Sequence, residues 1–499
     1  MNPKRTLFEA IRRDNESKTA LVLERIPHDP IVLSYVGLSL NVEKLKRQLP
    51  ACTRIAVVLP ICVESVVLLF AVSEAGSVFA PLNPESTESE FEYFLSLKIG
   101  LLISTSDDSV GSSVARRMKI PVMIANLSQD AQVSLTCCVS ETTNVCFRVD
   151  DGEIAVILFT SGTSADPKAV GLTHTNLFSS VSNILESIPV TSSDVTLNVM
   201  PLFHIHGMVA SVLTSLAAGG TVVFQKSGKF SARRFWPAMR ELQCTWFTAV
   251  PTIHQILLLS TQEDDSLSTK HLRFIRSSSS RLEPSLLYAM EERYKVAVIE
   301  AYAMTETSYQ ITSNPASKFL RKPGTVGIPQ GSVKVKICDA NNIETKLGEV
   351  CVKGPNVICN YLENPEADSV SFHTNDGYFR TGDEGFFDED GFLTITGRLK
   401  EQINRGGEKI NPNEIDQIAK SHHGVADAGS FGVPDPKYGE SVSLAVVPKT
   451  GHFDNAEFEM FLRSKLSSFK VPSNIFVIDS IPKTKTGKII RYSLSQLFV

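Results

Sequence analysis

Apolar runs, each about as long as a strand, recur along the chain: RIAVVLP (54–60), GSVFAPL (76–82), GLLIS (100–104), IPVMIA (120–125), IAVIL (154–158), GGTVVF (219–224), CTWFTAVP (244–251), LRFIRSSSS (272–280) and VAVIEAYAMTE (296–306). Between many of them lie stretches of helix length, such as CVESVVLLFAVSEAG (62–76) and SARRFWPAMRELQ (231–243). This alternation predicts a layered α/β fold with largely parallel sheets. From SVKVKICDA (332–340) onward the pattern changes. That segment, GEVCVKG (348–354) and GFLTITGRLKE (391–401) alternate apolar and polar residues and predict a smaller antiparallel β unit. NPNEIDQIAKSHHGV (411–425), SLAVVP (443–448) and NAEFEMFLRSKL (455–466) then predict a compact α+β module. GRLKEQINRGG (397–407) is the expected boundary, giving domains 1–399 and 400–499.

A chain of 499 residues is too long for one core, which agrees with more than one domain. Net charge is −5, so no broad basic surface is implied and no nucleic-acid partner is expected. The cysteines are scattered, with no CxxC and no zinc-type spacing, and read as reduced thiols of a cytosolic protein. The most apolar stretch, residues 55–72, is interrupted by Pro60 and Glu64 and reads as strand, turn and buried helix rather than a membrane span. MNPKRTLFEAIRRD has no apolar h-region, and the terminal SQLFV is not a peroxisomal signal, so a cytoplasmic location is expected.

Four segments carry candidate chemistry. FTSGTSADPKAVGLTH (159–174) follows an apolar strand. It lacks Walker A spacing but has a phosphate loop's ingredients: Gly162 for close backbone approach, hydroxyl donors, and the charge of Lys168. On composition alone it is equally a flexible polar connection. AYAMTE (301–306) places Glu306 at the end of a strand, where a carboxylate suits Mg²⁺. YFRTGDEG (378–385) puts Asp383 in a tight turn, able to accept from two ribose hydroxyls or simply to shape the turn. PKTKTGKIIR (482–491) is rich in cations and free of acids. It is either a solvated tail or, given Pro482 and Gly487, a shaped loop presenting lysine to developing negative charge. No GxSxG, HExxH or post-strand GxGxxG is present, so serine hydrolase, zinc protease and dinucleotide-binding readings have no fingerprint.

In this order and spacing, TSGTSADPK (160–168), YAMTE (302–306), RTGD (380–383), GRLKEQINRGGEKI (397–410) and PKTKTGK (482–488) resemble the motifs of the adenylate-forming superfamily. That superfamily holds acyl-CoA synthetases, firefly luciferases and peptide-synthetase adenylation domains, and the resemblance covers essentially the whole chain. It implies a large N-terminal domain of parallel-sheet and barrel subdomains, followed by a mobile α+β lid hinged at Lys400. It implies that Thr160, Ser161, Gly162, Thr163, Ser164 and Lys168 hold the ATP phosphates. Tyr302 would stack on adenine beside Ala303, Met304 and Thr305, and Glu306 would bind Mg²⁺. Asp383 and Arg398 would hold the ribose. Lys488 would act in catalysis together with Glu306, Thr163 and Lys168. Gly406 and Gly407 would line the path of the coenzyme A thiol.

PLFHIHG (201–207), WFTAVPTIHQI (246–256), LRFIRSSSS and INRGGEKI (403–410) further resemble the oxalate–CoA ligase branch. A second carboxylate on the acid needs donors in the pocket, and His204, His206, Ser278, Ser279, Tyr309 and nearby Arg276 are the candidates, each histidine being equally readable as a satisfied core or gating residue. Ala169 stands where the family loop usually carries Gly, Ser280-Arg281 where a small pair is usual, and Tyr309 where this branch usually carries His. The expected activity is ATP-dependent ligation of a short acid, oxalate first, to CoA. A fatty or aromatic acid, a luciferase-type oxidation, and nucleotide binding without turnover are the rivals.

Overall fold

The computed structural model describes the chain apart from residues 1–5, 10, 12–16, 26–27, 138–152, 161–166, 261–268, 318–319, 373–375, 450–452, 485–486 and 499. The described residues form two compact units, one from 1–161, 166–334 and 354–368, the other from 335–353 and 369–499.

The first unit holds two large sheets. In one of seven strands, Arg54–Val58 runs parallel to both neighbours, Val78–Pro81 and Ile99–Ser104. Every residue of that strand is buried, which is why the sequence after Arg54 is a continuous apolar run rather than an alternation. Helix Val63–Glu74, apolar on nearly every face, is buried along most of its length. The far edge of this sheet is an antiparallel pair, Ile154–Thr160 with Lys168–Thr173.

The second sheet has nine strands. Its parallel centre runs through Val195–Asn198, Trp246–Ala249, Phe274–Ser277 and Ala297–Met304, and Tyr309–Ser313 then returns antiparallel. Phe235, Trp236, Phe247, Ile275 and Leu282 pack in its largest described core cluster. The segments carrying His204 to His206, Ser278, Ser279 and Glu306 all follow the C-terminal ends of these parallel strands, where open α/β sheets bind ligands.

The second unit carries the predicted antiparallel sheet, with Gly348–Lys353, Phe379–Phe387 and Leu393–Arg398 in consecutive antiparallel ladders. It also carries a five-stranded sheet around the long hairpin Val425–Asp435 and Gly439–Pro448, covered by helices Pro412–Lys420 and Asn455–Lys465. A short turn, Leu399–Glu401, links the two sheets.

Candidate active site

The loop predicted to hold phosphate joins two strands whose ends face each other: Thr160 is in register with Lys168. Ser161, Gly162, Thr163 and Ser164 lie outside the described residues. Ala169 occupies a regular strand position, buried in the core beside Phe159, with its carbonyl accepting from Leu362 N at 2.9 Å. Its methyl therefore fills a core position without requiring a left-handed backbone.

Lys168 Nζ lies 4.4 Å from the centroid of the Tyr361 ring, and Tyr361 Oη donates to Glu306 Oε1 at 2.9 Å. One tyrosine thus ties the lysine after the loop to the candidate metal carboxylate. Glu306 sits in the single turn Thr305–Thr307 after the strand, and its carbonyl accepts from Ile358 N at 2.9 Å. The preceding strand is buried through Ala301 and becomes half-buried from Tyr302 to Met304, so the proposed adenine residues lie where the strand meets solvent. Tyr361 is absent from the sequence-derived set; a lone tyrosine in NYLENPE offers no spacing to single it out.

The acid-pocket candidates converge on one face of the nine-stranded sheet. Thr248, Arg276 and Ile299 are in register on adjacent parallel strands, so their side chains share a face. Over them lies a π-type helix, His206–Leu213, of a kind frequent at functional sites. Gly207 is required there, because a Cβ would lie 2.3 Å from the Pro201 carbonyl oxygen. His206 Nε2 is 2.6 Å from Thr248 Oγ1, and Nδ1 is 2.9 Å from Ser279 Oγ. Burial, with Arg276 nearby, holds the imidazole pKa well below its ordinary value, so His206 is neutral at pH 7.

Tyr309 is fully buried, its ring 5.3 Å from that of His206 and 5.0 Å from Arg276 Cζ. Burial raises its phenol pKa, leaving a neutral hydroxyl facing Ser278 and Thr248. Ser279 and Tyr309 both adopt positive φ, +74° and +105°, a strained conformation typical of functional sites. Of the predicted set, His206, Ser278, Ser279 and Tyr309 come together. His204 is half-buried, with its ring 4.7 Å from that of Phe203. Thr248 and Gln310 join the cluster although the sequence gives no spacing that marks them: Thr248 is the one polar residue of WFTA, and Gln310 is one of several polar residues in YQITS.

Glu300 lies one residue along the strand from Ile299, on the opposite face. Its Oε1 accepts from Leu282 N at 3.0 Å, and burial pushes the carboxyl pKa up to about 8. The folded protein therefore binds this proton more tightly than the unfolded chain. The resulting stabilisation is complete below the ordinary carboxyl value of 4.5 and is lost as pH rises through about 8. Glu300→Gln, which keeps the acceptor, is expected to raise the melting temperature by a few degrees at pH 8.5 and to change it little at pH 4.5. Thermal denaturation at the two pH values checks this; an equal shift at both would refute it.

In the second unit Asp383 and Arg398 are cross-strand partners, Arg398 Nε lying 3.0 Å from Asp383 Oδ1. Asp383 is thus already oriented by a cation, on a strand rather than in an isolated turn. Gly406 and Gly407 form the two-residue turn between Ile403–Arg405 and Glu408–Ile410, with φ of +62° and +95°. That hairpin geometry favours residues that tolerate positive φ at both positions, glycine among them, irrespective of any tunnel. Lys400 is exposed in the turn Leu399–Glu401. Lys488 is exposed on a loop closed by Thr484 N to Lys488 O at 2.8 Å and Lys488 N to Thr484 Oγ1 at 3.1 Å. The segment is a shaped loop and not a solvated tail: Lys483 pairs with Asp427, and Arg491 with Glu401 and Asp416.

The AMP-binding enzyme family profile matches residues 8–362, and that of the AMP-binding enzyme C-terminal domain matches residues 414–488. An oxalate–CoA ligase of Arabidopsis thaliana is 42% identical over 89% of this chain and 88% of its own length. One of Saccharomyces cerevisiae is 44% identical over 69% of this chain and 63% of its own length. The crystal structure of ATP-bound MatB from Rhodopseudomonas palustris superposes with a TM-score of 0.87 at 29% identity, covering 99% of this chain and 98% of that one. No helix among the described residues is long and apolar enough to cross a membrane. The profile matches and the two-sheet α/β architecture agree, and the chain belongs to the AMP-binding enzyme family.

Proposed function

We propose that this chain is an oxalate–CoA ligase: it adenylates a small acid with ATP, releases pyrophosphate, and passes the acyl group to coenzyme A with release of AMP. The observation that carries the choice of acid is the buried cluster of His206, Thr248, Ser278 and Tyr309, with the half-buried Ser279 bonded to His206, polar where a fatty-acid tunnel would be apolar. An alkyl chain would leave the buried Ser278 and Tyr309 hydroxyls without a partner, whereas a short oxygen-rich acid satisfies them. The named activity of the two ligases supports the same reading.

A carboxylate is a poor electrophile because its oxygen is a poor leaving group; adenylation converts that oxygen into AMP. Thr160, Lys168 and the loop between them hold the phosphates, Tyr302 to Thr305 the adenine, and Asp383 with Arg398 the ribose. Glu306, oriented through one oxygen by Tyr361, has the chemistry of a Mg²⁺ ligand, since Mg²⁺ is commonly held by one or two carboxylates together with substrate phosphates. When bound there, Mg²⁺ neutralises phosphate charge as a Lewis acid. Lys488 stabilises charge at the α-phosphate during adenylation, and the Gly406-Gly407 turn accommodates the pantetheine thiol afterwards. The lid is residues 400–499, and the seven described cysteines, all free thiols, suit the cytosol.

Lys400 serves as the hinge between adenylating and thioester-forming arrangements. It lies within a turn of 3₁₀ type, whose φ proline tolerates, so Lys400→Pro fixes one backbone angle without removing a side chain from the pocket. Pyrophosphate exchange is expected to stay near normal while thioester formation falls; equal loss of both steps would count against a hinge. The function itself is tested by pyrophosphate release with oxalate, other C2–C5 acids and octanoate, each with and without CoA. Preference for octanoate over every short acid would overturn the choice of oxalate.

A further inference from the structure

The acid cluster contains a cation whose counter-charge is missing. Arg276 is completely buried. Its Nη2 donates to Gln310 Oε1, and its guanidinium lies over the Tyr309 ring, 5.0 Å from the centroid. Nε and Nη1 have no hydrogen-bond partner, and among the described residues no carboxylate pairs with it. The two other arginines buried to a similar degree each face an acid: Arg54 lies 3.4 Å from Glu363, and Arg321 pairs with Glu291. The imidazoles nearby cannot supply a counter-charge, since an imidazole is only neutral or cationic; burial holds His206 and His254 neutral, so they add no further positive charge. A buried charge without a partner is strongly unfavourable, so a protein retains one where a ligand supplies the opposite charge.

The guanidinium is also held in place. Gln310 Nε2 donates to Asn183 O at 3.1 Å and to Ser187 Oγ at 2.9 Å, which fixes its Oε1 on Arg276. Arg276 shares its row on the sheet with Thr248, whose hydroxyl bonds His206, and it stacks on Tyr309. Its unpaired N–H groups therefore belong to the same cluster as the proposed acid-binding donors, and a planar fork of this kind matches a carboxylate.

We infer that Arg276 is the receptor for a second anionic group on the acid, so that the enzyme selects short dicarboxylates over monoanions of the same size and shape. This rests on the cluster being the acid site. Gln310 is a positioning residue for Arg276. The acid to be activated presents one carboxylate to ATP, and the other lies against the guanidinium and replaces its missing counter-ion.

Oxalate and oxamate test this, since they are nearly isosteric and differ by one negative charge. Wild type is expected to prefer oxalate in kcat/KM on the order of a hundred-fold, as for a buried charge deprived of its partner. Arg276→Met should bring the ratio near one, mainly by raising KM for oxalate, and should abolish the thermal shift produced by oxalate alone. The methionine variant's ligand-free melting temperature should not fall, because an uncompensated buried charge has been removed. Arg276→Lys keeps the charge without the fork and should retain the dianion preference at a higher KM. A methionine variant that fails to fold, or that loses equal activity toward both acids, would make Arg276 structural and overturn the inference, as would a wild type that does not distinguish the two. If wild type turns over no acid, the ligase reading fails separately. Oxalate binding then decides: a thermal shift present in wild type and absent in Arg276→Met upholds the receptor, and no shift in wild type removes it.

Discussion

Lys488→Ala is expected to abolish acyl-adenylate formation while leaving thioester formation from purified acyl-adenylate and CoA near the wild-type rate. The loop that carries Lys488 is built to present it. Pro482 O accepts from Ile490 N at 2.9 Å, Gly487 N donates to Thr484 O at 2.8 Å, and Gly487 turns the chain at φ +81°. Among the described residues the neighbouring cations Lys483, on Asp427, and Arg491, on Glu401 and Asp416, anchor the loop. Losing one preorganised charge at a developing anion costs about 2.7–4 kcal/mol, on the order of a hundred- to a thousand-fold in rate. Because Lys488 is exposed and its backbone carries the loop's hydrogen bonds, alanine should leave the melting temperature unchanged. The two half-reactions are measured separately, the first by pyrophosphate exchange. If thioester formation falls as far as overall turnover, Lys488 does not act in adenylation alone.

The parallel core was legible because its strands are buried on both faces and read as apolar runs, as residues 55–58 do. The antiparallel unit showed itself by alternation, as in Phe379–Phe387, where buried and partly exposed residues alternate through most of the strand. Candidate site residues stood out in the sequence only where they cluster. Glu306 and Asp383 lie in short polar motifs that end or interrupt apolar runs, and Lys488 lies in a run of cations. Tyr361, Thr248 and Gln310 were not legible. Each is a single polar residue whose partner lies far along the chain: Tyr361 reaches Glu306 across 55 positions, and Thr248 reaches His206 across 42. Packing of turns, helices and connecting segments against the sheet makes such pairs, and one sequence does not reveal that packing. Arg276 was visible as a nearby donor, but its missing counter-ion is a property of burial and appears only in three dimensions.

Glu306→Gln should likewise stop adenylation and spare the second step, but with a different signature. Glutamine keeps the oxygen that accepts from Tyr361 Oη and the backbone carbonyl that accepts from Ile358 N, so the turn Thr305–Thr307 should hold its shape. What is lost is the negative charge, and with it the carboxylate that a hard cation prefers. Adenylation is expected to fall on the order of a hundred- to a thousand-fold, comparable with loss of one electrostatic stabiliser. Unlike Lys488→Ala, the loss should depend on metal concentration, half-saturation moving to higher Mg²⁺. Mn²⁺ binding in the presence of ATP, followed by electron paramagnetic resonance, should weaken in step, which gives a readout independent of turnover. Tyr361→Phe removes the hydroxyl that orients Glu306 while keeping the ring beneath Lys168, and should shift the same Mn²⁺ titration less far. An unchanged Mn²⁺ affinity in Glu306→Gln, with adenylation still lost, would move Glu306 from metal ligand to a structural anchor of the turn.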